Sequence, residues 1–164
     1  MAARTKGAKP MSTIALAITA VSTVFLAGAA AADTPAAELT NDPSGIAVVE
    51  FLDLALNEKQ VDAAIDKYLA PPYTQHNPMV PDGIEGARVG LGGLVKQLPG
   101  FHYDIKRVFV DGDFVIVHSH ATTTPEDRGM AIVDIFRMDD GKIVEHWDVI
   151  QPIPEKAANE NTMF

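Results

Sequence analysis

The 164-residue sequence contains no cysteine. That excludes disulfides, a thiol nucleophile, a thiolate metal site and a lipid-modified cysteine at a processing point. Basic residues are scarce, 13 against 22 acidic, for a formal net charge of −9. Nucleic acid is therefore not an expected partner, because phosphate binding needs a basic patch. Charge of either sign is missing from Met11 to Ala32, a stretch of small and apolar residues. Arg4, Lys6 and Lys9 precede it, and Ala30-Ala31-Ala32 meets Asp33 at its end. A basic start, an uncharged apolar run and an A-x-A site are the marks of a signal peptide over residues 1–32. The alternative, an uncleaved anchor, is disfavoured by the Ala, Gly, Ser and Thr content, which makes a weak span. The processed protein is expected in the bacterial periplasm or outside the cell, with no stable membrane insertion. All acidic residues lie from Asp33 onward, so processing leaves ten basic against 22 acidic residues. The acidity serves solubility.

What remains has the length of one domain. Residues 33–43 are small and polar and read as a flexible linker, with the domain over 44–164. Asp42-Pro43 predicts a helix start, with Asp42 as N-cap. Val48, Val49, Leu52 and Leu56 follow at helical spacing. A second helix is predicted over Lys59 to Leu69, ended by Pro71-Pro72. Tyr73 to Gly83 reads as an ordered loop rich in proline and amide side chains. Ile84 to Leu98 predicts a third helix, weakened by four glycines. The period then changes to two, with strands over Phe101–Val110 and Phe114–Thr123. A hairpin follows, Met130–Arg137 and Ile143–Ile150 around Asp139-Asp140-Gly141-Lys142. Helices followed by strands predict an α+β fold, N-terminal helices on a strongly curved, antiparallel four-stranded sheet shaped as a cone with a pocket inside. The outer sheet face is also apolar, so a homodimer is expected to cover it.

Alternation puts Ile132, Asp134 and Phe136 on one face of the hairpin's first strand. A carboxylate inside an apolar strand must be paired, protonated or functional. His118 and His120 share a strand face that can meet the Asp134 face if the strands pair as a meander. A His–Asp pair in an apolar cone is a workable acid/base unit; it is equally a satisfied structural pair. His118-Ser119-His120 also resembles half of a metal motif, but the ligand set is incomplete, so no metal and no cofactor is expected. His76 sits in the proline-bounded loop and is either aimed at the pocket or a surface turn residue. Trp147 lines the pocket or is plain core. His146 and Asp148 are expected on the opposite face, as an outer pair. Tyr68 and Tyr103 do not stand out.

Tyr73-Thr74-Gln75-His76-Asn77-Pro78, the Val133–Arg137 strand, Gly141 to Val149 and the terminal Asn159-Glu160-Asn161-Thr162-Met163-Phe164 resemble the SnoaL-like polyketide cyclase group of the nuclear transport factor 2-like superfamily. The resemblance covers roughly Ser44 to the end. It implies a cone-shaped α+β barrel, no cofactor and, for the characterised cyclases, an intramolecular aldol condensation with a strand aspartate as acid/base. The matching aspartate is Asp134 and the matching loop histidine is His76, with His120 as the strand histidine. Substrate contacts are expected from His118, Trp147, Phe136, Asn77 and Tyr73. Export sets this chain apart from cyclases that act inside the cell.

The expected function is cofactor-independent proton transfer next to a carbonyl, of aldol or isomerase type, on a small apolar substrate. The alternatives are a non-catalytic small-molecule-binding protein and a dimeric interaction module of the same fold. Accessible carboxylate and imidazole atoms converging in one pocket favour the enzyme. A salt-bridged or outward-facing Asp134 favours the others.

Overall fold

The computed structural model describes Met1 and residues 35–164. The predicted signal peptide and its cleavage point lie outside the described residues.

One helical turn, α1 (Ala36–Leu39), falls in the stretch read as linker and packs on α2 (Pro43–Leu52). Asp42 caps α2 as expected: its Oδ1 accepts from the N–H of Ser44 at 2.8 Å and of Gly45 at 3.3 Å. Val48, Val49 and Leu52 are buried along α2, which widens into a π-helical turn over Asp53–Asn57. That turn delivers Asn57 to the sheet. The Asn57 amide donates to the carbonyl of Tyr103 at 3.0 Å and accepts from its N–H at 2.9 Å. Two hydrogen bonds to one residue's backbone fix where the following strand begins.

The second predicted helix is shorter than expected, α3 (Val61–Tyr68), because Lys59 takes a positive φ of 61° before it. After α3 the chain departs from the expected helix end and loop. Residues 69–75 instead form a strand, β1 (Leu69–Gln75). Pro71-Pro72 lacks N–H donors, which bars it from a central strand and not from an edge. β1 lies at the sheet edge, parallel to the last strand, with a register irregularity between Leu69 and Thr74 that spans the two prolines.

The third helix, α4 (Gly83–Gln97), forms despite its glycines. Two of them serve packing. A Cβ on Gly86 would sit 1.9 Å from the Pro81 carbonyl oxygen, and one on Gly90 2.7 Å from Val80. The preceding loop therefore lies directly on the helix.

β2 (His102–Asp111), β3 (Phe114–Thr122), β4 (Met130–Asp139) and β5 (Lys142–Pro152) form the predicted meander. With β1 the sheet has five strands in the order β1-β5-β4-β3-β2 and is mixed, not four-stranded and antiparallel. It does not close, so the α+β domain is an open cone. Val115, Val117 and Ala121 on β3 and Ile132, Phe136 and Met138 on β4 face the helices and form the core with Phe51, Leu52 and Ile65. The other face is apolar and uncovered in places: Phe109, Phe114 and Val149 are 55%, 41% and 68% exposed.

Two registers decide which polar side chains enter the cone. Val117 pairs with Asp134 and His118 with Val133, so β3 turns Ser119 inward and His118 and His120 outward. Between β4 and β5, Arg137 pairs with Glu145 but Met138 pairs with Ile143. One extra residue, Val144, is thus inserted in β5. A one-residue bulge flips every side chain beyond it to the other face. His146 comes opposite Phe136 and Asp148 opposite Asp134, both on the inner side. Trp147 turns outward.

Candidate active site

Asp134 is 6% exposed, in the middle of β4. Its two oxygens have separate partners. The Tyr103 hydroxyl donates to Oδ2, and His146 Nε2 lies 3.0 Å from Oδ1. Tyr103 is fixed by Asn57 at its backbone. Burial first, then the Asp134 charge, pushes its phenol pKa well up, so the hydroxyl stays protonated and donates. Ser119, fully buried, adjoins this phenol closely enough to oppose that rise, without a hydrogen bond of good geometry to its hydroxyl among the described residues.

His146 is held on all sides. Its ring stacks on Phe136 with centroids 4.8 Å apart. Its Nδ1 lies 2.9 Å from Gln75 Oε1 at the end of β1. Gln75 Nε2 donates to the Tyr73 hydroxyl at 3.1 Å. Burial, then the carboxylates of Asp148, Asp134 and Asp82, raise the Tyr73 pKa, so this phenol too is neutral. Asp148 completes the cluster and accepts from Asn77 Nδ2 at 2.6 Å.

Asp134 and Asp148 face each other across β4 and β5. Like charges directly opposite destabilise a strand pair, and here His146 reaches Asp134 from the strand that carries Asp148. Among the described residues, Asp134, His146 and Asp148 also form the one group whose donor atoms, within 4.8 Å of one another, could hold a metal ion. Three such ligands match the number at catalytic zinc sites, but metal at His146 Nε2 would have to break the bond to Asp134.

The sequence-predicted residues divide into two sets. Asp134, Phe136, Asn77 and Tyr73 come together inside. His120 and His118 do not: the expected His120–Asp134 pair is replaced by His146–Asp134. His120 Nε2 bonds the carbonyl of Arg128 at 2.8 Å, and its ring packs on Phe164 with centroids 4.6 Å apart. His118 packs on the same Phe164 and meets Arg107. Burial and then the Arg107 charge lower its pKa. His76 and Trp147 stack on each other, centroids 4.6 Å apart and planes 6° off parallel, away from Asp134. His76 Nε2 meets Glu145 at 2.9 Å, and Arg137 Nε binds the other Glu145 oxygen at 2.7 Å. His146 and Asp148, expected outside, are inside, because the bulge at Val144 is invisible to a strict alternation. Tyr103 and Gln75 were missed. A small cavity of about 200 Å³ lies between α1, α2 and β2; Tyr103 lines it along with Val49, Asp53 and Asn57.

A family model described as SnoaL-like domain matches residues 48–146. Many solved structures are similar, and three serve as examples. A Bacillus cereus protein provisionally assigned as a polyketide cyclase is 25% identical, with 66% of this chain and 74% of that one covered and a TM-score of 0.57. An Agrobacterium tumefaciens protein provisionally assigned as an isomerase of the SnoaL-like family is 12% identical, covering 66% and 97%, with a TM-score of 0.58. An NTF2-like protein of unknown function from Cytophaga hutchinsonii is 21% identical, covering 69% and 94%, with a TM-score of 0.54. The last two share the fold alone. No curated protein matches the chain.

Proposed function

Because the chain belongs to the SnoaL-like domain family, we propose that it catalyses cofactor-independent acid/base chemistry next to a carbonyl, with Asp134 and His146 as the working pair. The supporting observation is the Asp134 carboxylate, buried and held between the Tyr103 hydroxyl and His146 Nε2. Asp134 takes the proton from the carbon beside the carbonyl. The C–H electron pair moves into the enolate, and its charge settles on oxygen. The pair returns the proton to that oxygen or to a carbon, giving an isomerisation; attack of the enolate carbon on a second carbonyl makes an alkoxide, and return of the proton from Asp134 and His146 to that oxygen gives an aldol product. Phe136 and Tyr73 supply walls, and Asn77 holds Asp148. His76 and His120, first expected as partners of Asp134, have no part in this step. The substrate is a small, largely apolar carbonyl compound, met outside the cytoplasm if the amino-terminal segment is removed near Asp33.

The test uses deuterium. Incubating the protein in D2O with a panel of ketones and β-dicarbonyl compounds, and following loss of the α-proton by NMR, reads abstraction without knowledge of the product. Asp134→Asn keeps the shape, still accepts from Tyr103 and cannot act as the base. It should lose exchange by about 10²–10⁴-fold. Normal exchange per folded molecule in that variant refutes the reading.

A second reading has its own observation. Asp134 is largely buried, and its two oxygens already have Tyr103 and His146 as partners, as expected of a structural pair in a ligand-binding protein. Wild-type protein that exchanges no compound on the panel, yet co-purifies with one small molecule by mass spectrometry, would establish it.

A further inference from the structure

We propose that Gln75 is the positioning residue that fixes a proton on His146 Nδ1 and so commits Nε2 to proton exchange with Asp134. The inference starts from the edge strand. Gln75 is the last residue of β1, paired directly with His146 on β5. Its Oε1 lies 2.9 Å from the backbone N–H of Asn77. A backbone N–H only donates, so the amide atom at this position is the oxygen. The amide nitrogen then points the other way and donates to the Tyr73 hydroxyl at 3.1 Å. With the amide orientation set by the Asn77 N–H, the atom 2.9 Å from His146 Nδ1 is an acceptor. Nδ1 must carry a proton.

The tautomer of an imidazole is set by the hydrogen bond its other nitrogen makes. With Nδ1 protonated, only two arrangements satisfy the 3.0 Å contact between Nε2 and Asp134 Oδ1. Either an imidazolium donates to the carboxylate, or a protonated Asp134 donates to the free lone pair on Nε2. Both place one mobile proton on the line between the two residues. Tyr103 donates to the other carboxylate oxygen in both. Without Gln75 the ring is free to move its single proton to Nε2. It would then donate to the Asp134 carboxylate as a neutral ring, and the pair would hold one proton fewer. Gln75 thereby makes the pair able to give up a proton as well as take one. The catalytic consequence rests on the acid/base reading proposed above, but the proton's position does not.

The experiment is ¹⁵N NMR of the full chain labelled at histidine, with the His146 signals assigned by their loss in His146→Asn. At neutral pH the wild-type Nδ1 should carry a proton and a pyrrole-like shift. Gln75→Leu, which has no acceptor, should shift His146 to the Nε2–H tautomer. Gln75→Glu, whose carboxylate still accepts, should keep Nδ1–H. A wild-type His146 that is neutral with its proton on Nε2 overturns the proposal whether or not either Gln75 variant folds. So does a Gln75→Leu protein whose His146 spectrum matches the wild type. Where a carbonyl compound is turned over, exchange should fall about 10–100-fold in Gln75→Leu, as for other orienting partners of a working imidazole. A tautomer switch in Gln75→Leu, with no wild-type exchange on any compound, upholds the role of Gln75 and removes the acid/base reading.

Discussion

Removing the Tyr103 hydroxyl isolates the bond that anchors Asp134. Tyr103→Phe keeps the ring in the core and leaves no cavity. It deletes one donor to a carboxylate that is 6% exposed. Hydrogen bonds to charged groups contribute about 1.5–3 kcal/mol, so a loss of about 2 kcal/mol is expected. For a domain of this size that is a fall in Tm of about 6–12 °C. Asp134→Ala should cost at least as much, because the phenol hydroxyl then loses its acceptor inside the core and a void opens beside it. The double variant removes both ends of the bond. It should be about 1.5–3 kcal/mol more stable than the two single losses added together. Urea unfolding of the four proteins measures that coupling. A value below about 0.5 kcal/mol would mean that the short contact carries no net energy and that Tyr103 does not hold the carboxylate. Alkaline pH reads the burial of the same phenol, with the Asp134 charge and hydrogen bond after it. The folded phenol pKa lies well above the ordinary 10.0. A group raised in this way stabilises below its unfolded pKa, and the contribution is lost as pH rises beyond it. Wild-type stability should therefore decline above pH 10, and Tyr103→Phe should decline less steeply.

Glu145 contributes on the acid side. Its hydrogen bonds from His76 and then Arg137 hold its pKa below the ordinary 4.5. The stability it supplies is present above that value and fades as pH falls through the lowered folded pKa. Glu145→Gln should flatten the acid limb of a stability–pH curve; an unchanged limb would show that the His76–Glu145–Arg137 group contributes nothing. The apolar outer sheet face, with Phe109, Phe114 and Val149 exposed, predicts a homodimer by light scattering at micromolar concentration. Phe114→Glu should then give monomers, and a monomeric wild type would refute this use of the face.

The starts and spans of α2 and α4 were legible because capping and periodicity are local, whereas the single turn of α1 lay in the stretch read as linker. Asp42-Pro43 starts α2 where expected, and α4 runs within one residue of its predicted span at either end. β1 was not legible. Its two prolines deny it ladder bonds, and only pairing with β5, more than seventy residues further along the chain, makes it a strand. The candidate site divides in the same way. That Asp134 is a carboxylate facing the core could be read from Ile132 and Phe136 on either side of it. Its partner could not, because partners across a sheet depend on register, and register here turns on one inserted residue. Strict alternation back from the Asp140-Gly141 turn puts Trp147 opposite Asp134 and sends His146 and Asp148 outside. Val144 shifts the count by one, and a hydrogen-bonded carboxylate–imidazole cluster replaces an aromatic wall. The bulge also brings His146 opposite Phe136, where its ring can stack, while β1 brings Gln75 against the far nitrogen. The two features that sequence reading missed are thus the two that build the site. An edge strand supplies the acceptor for Nδ1, and a bulge presents Nε2 to the carboxylate.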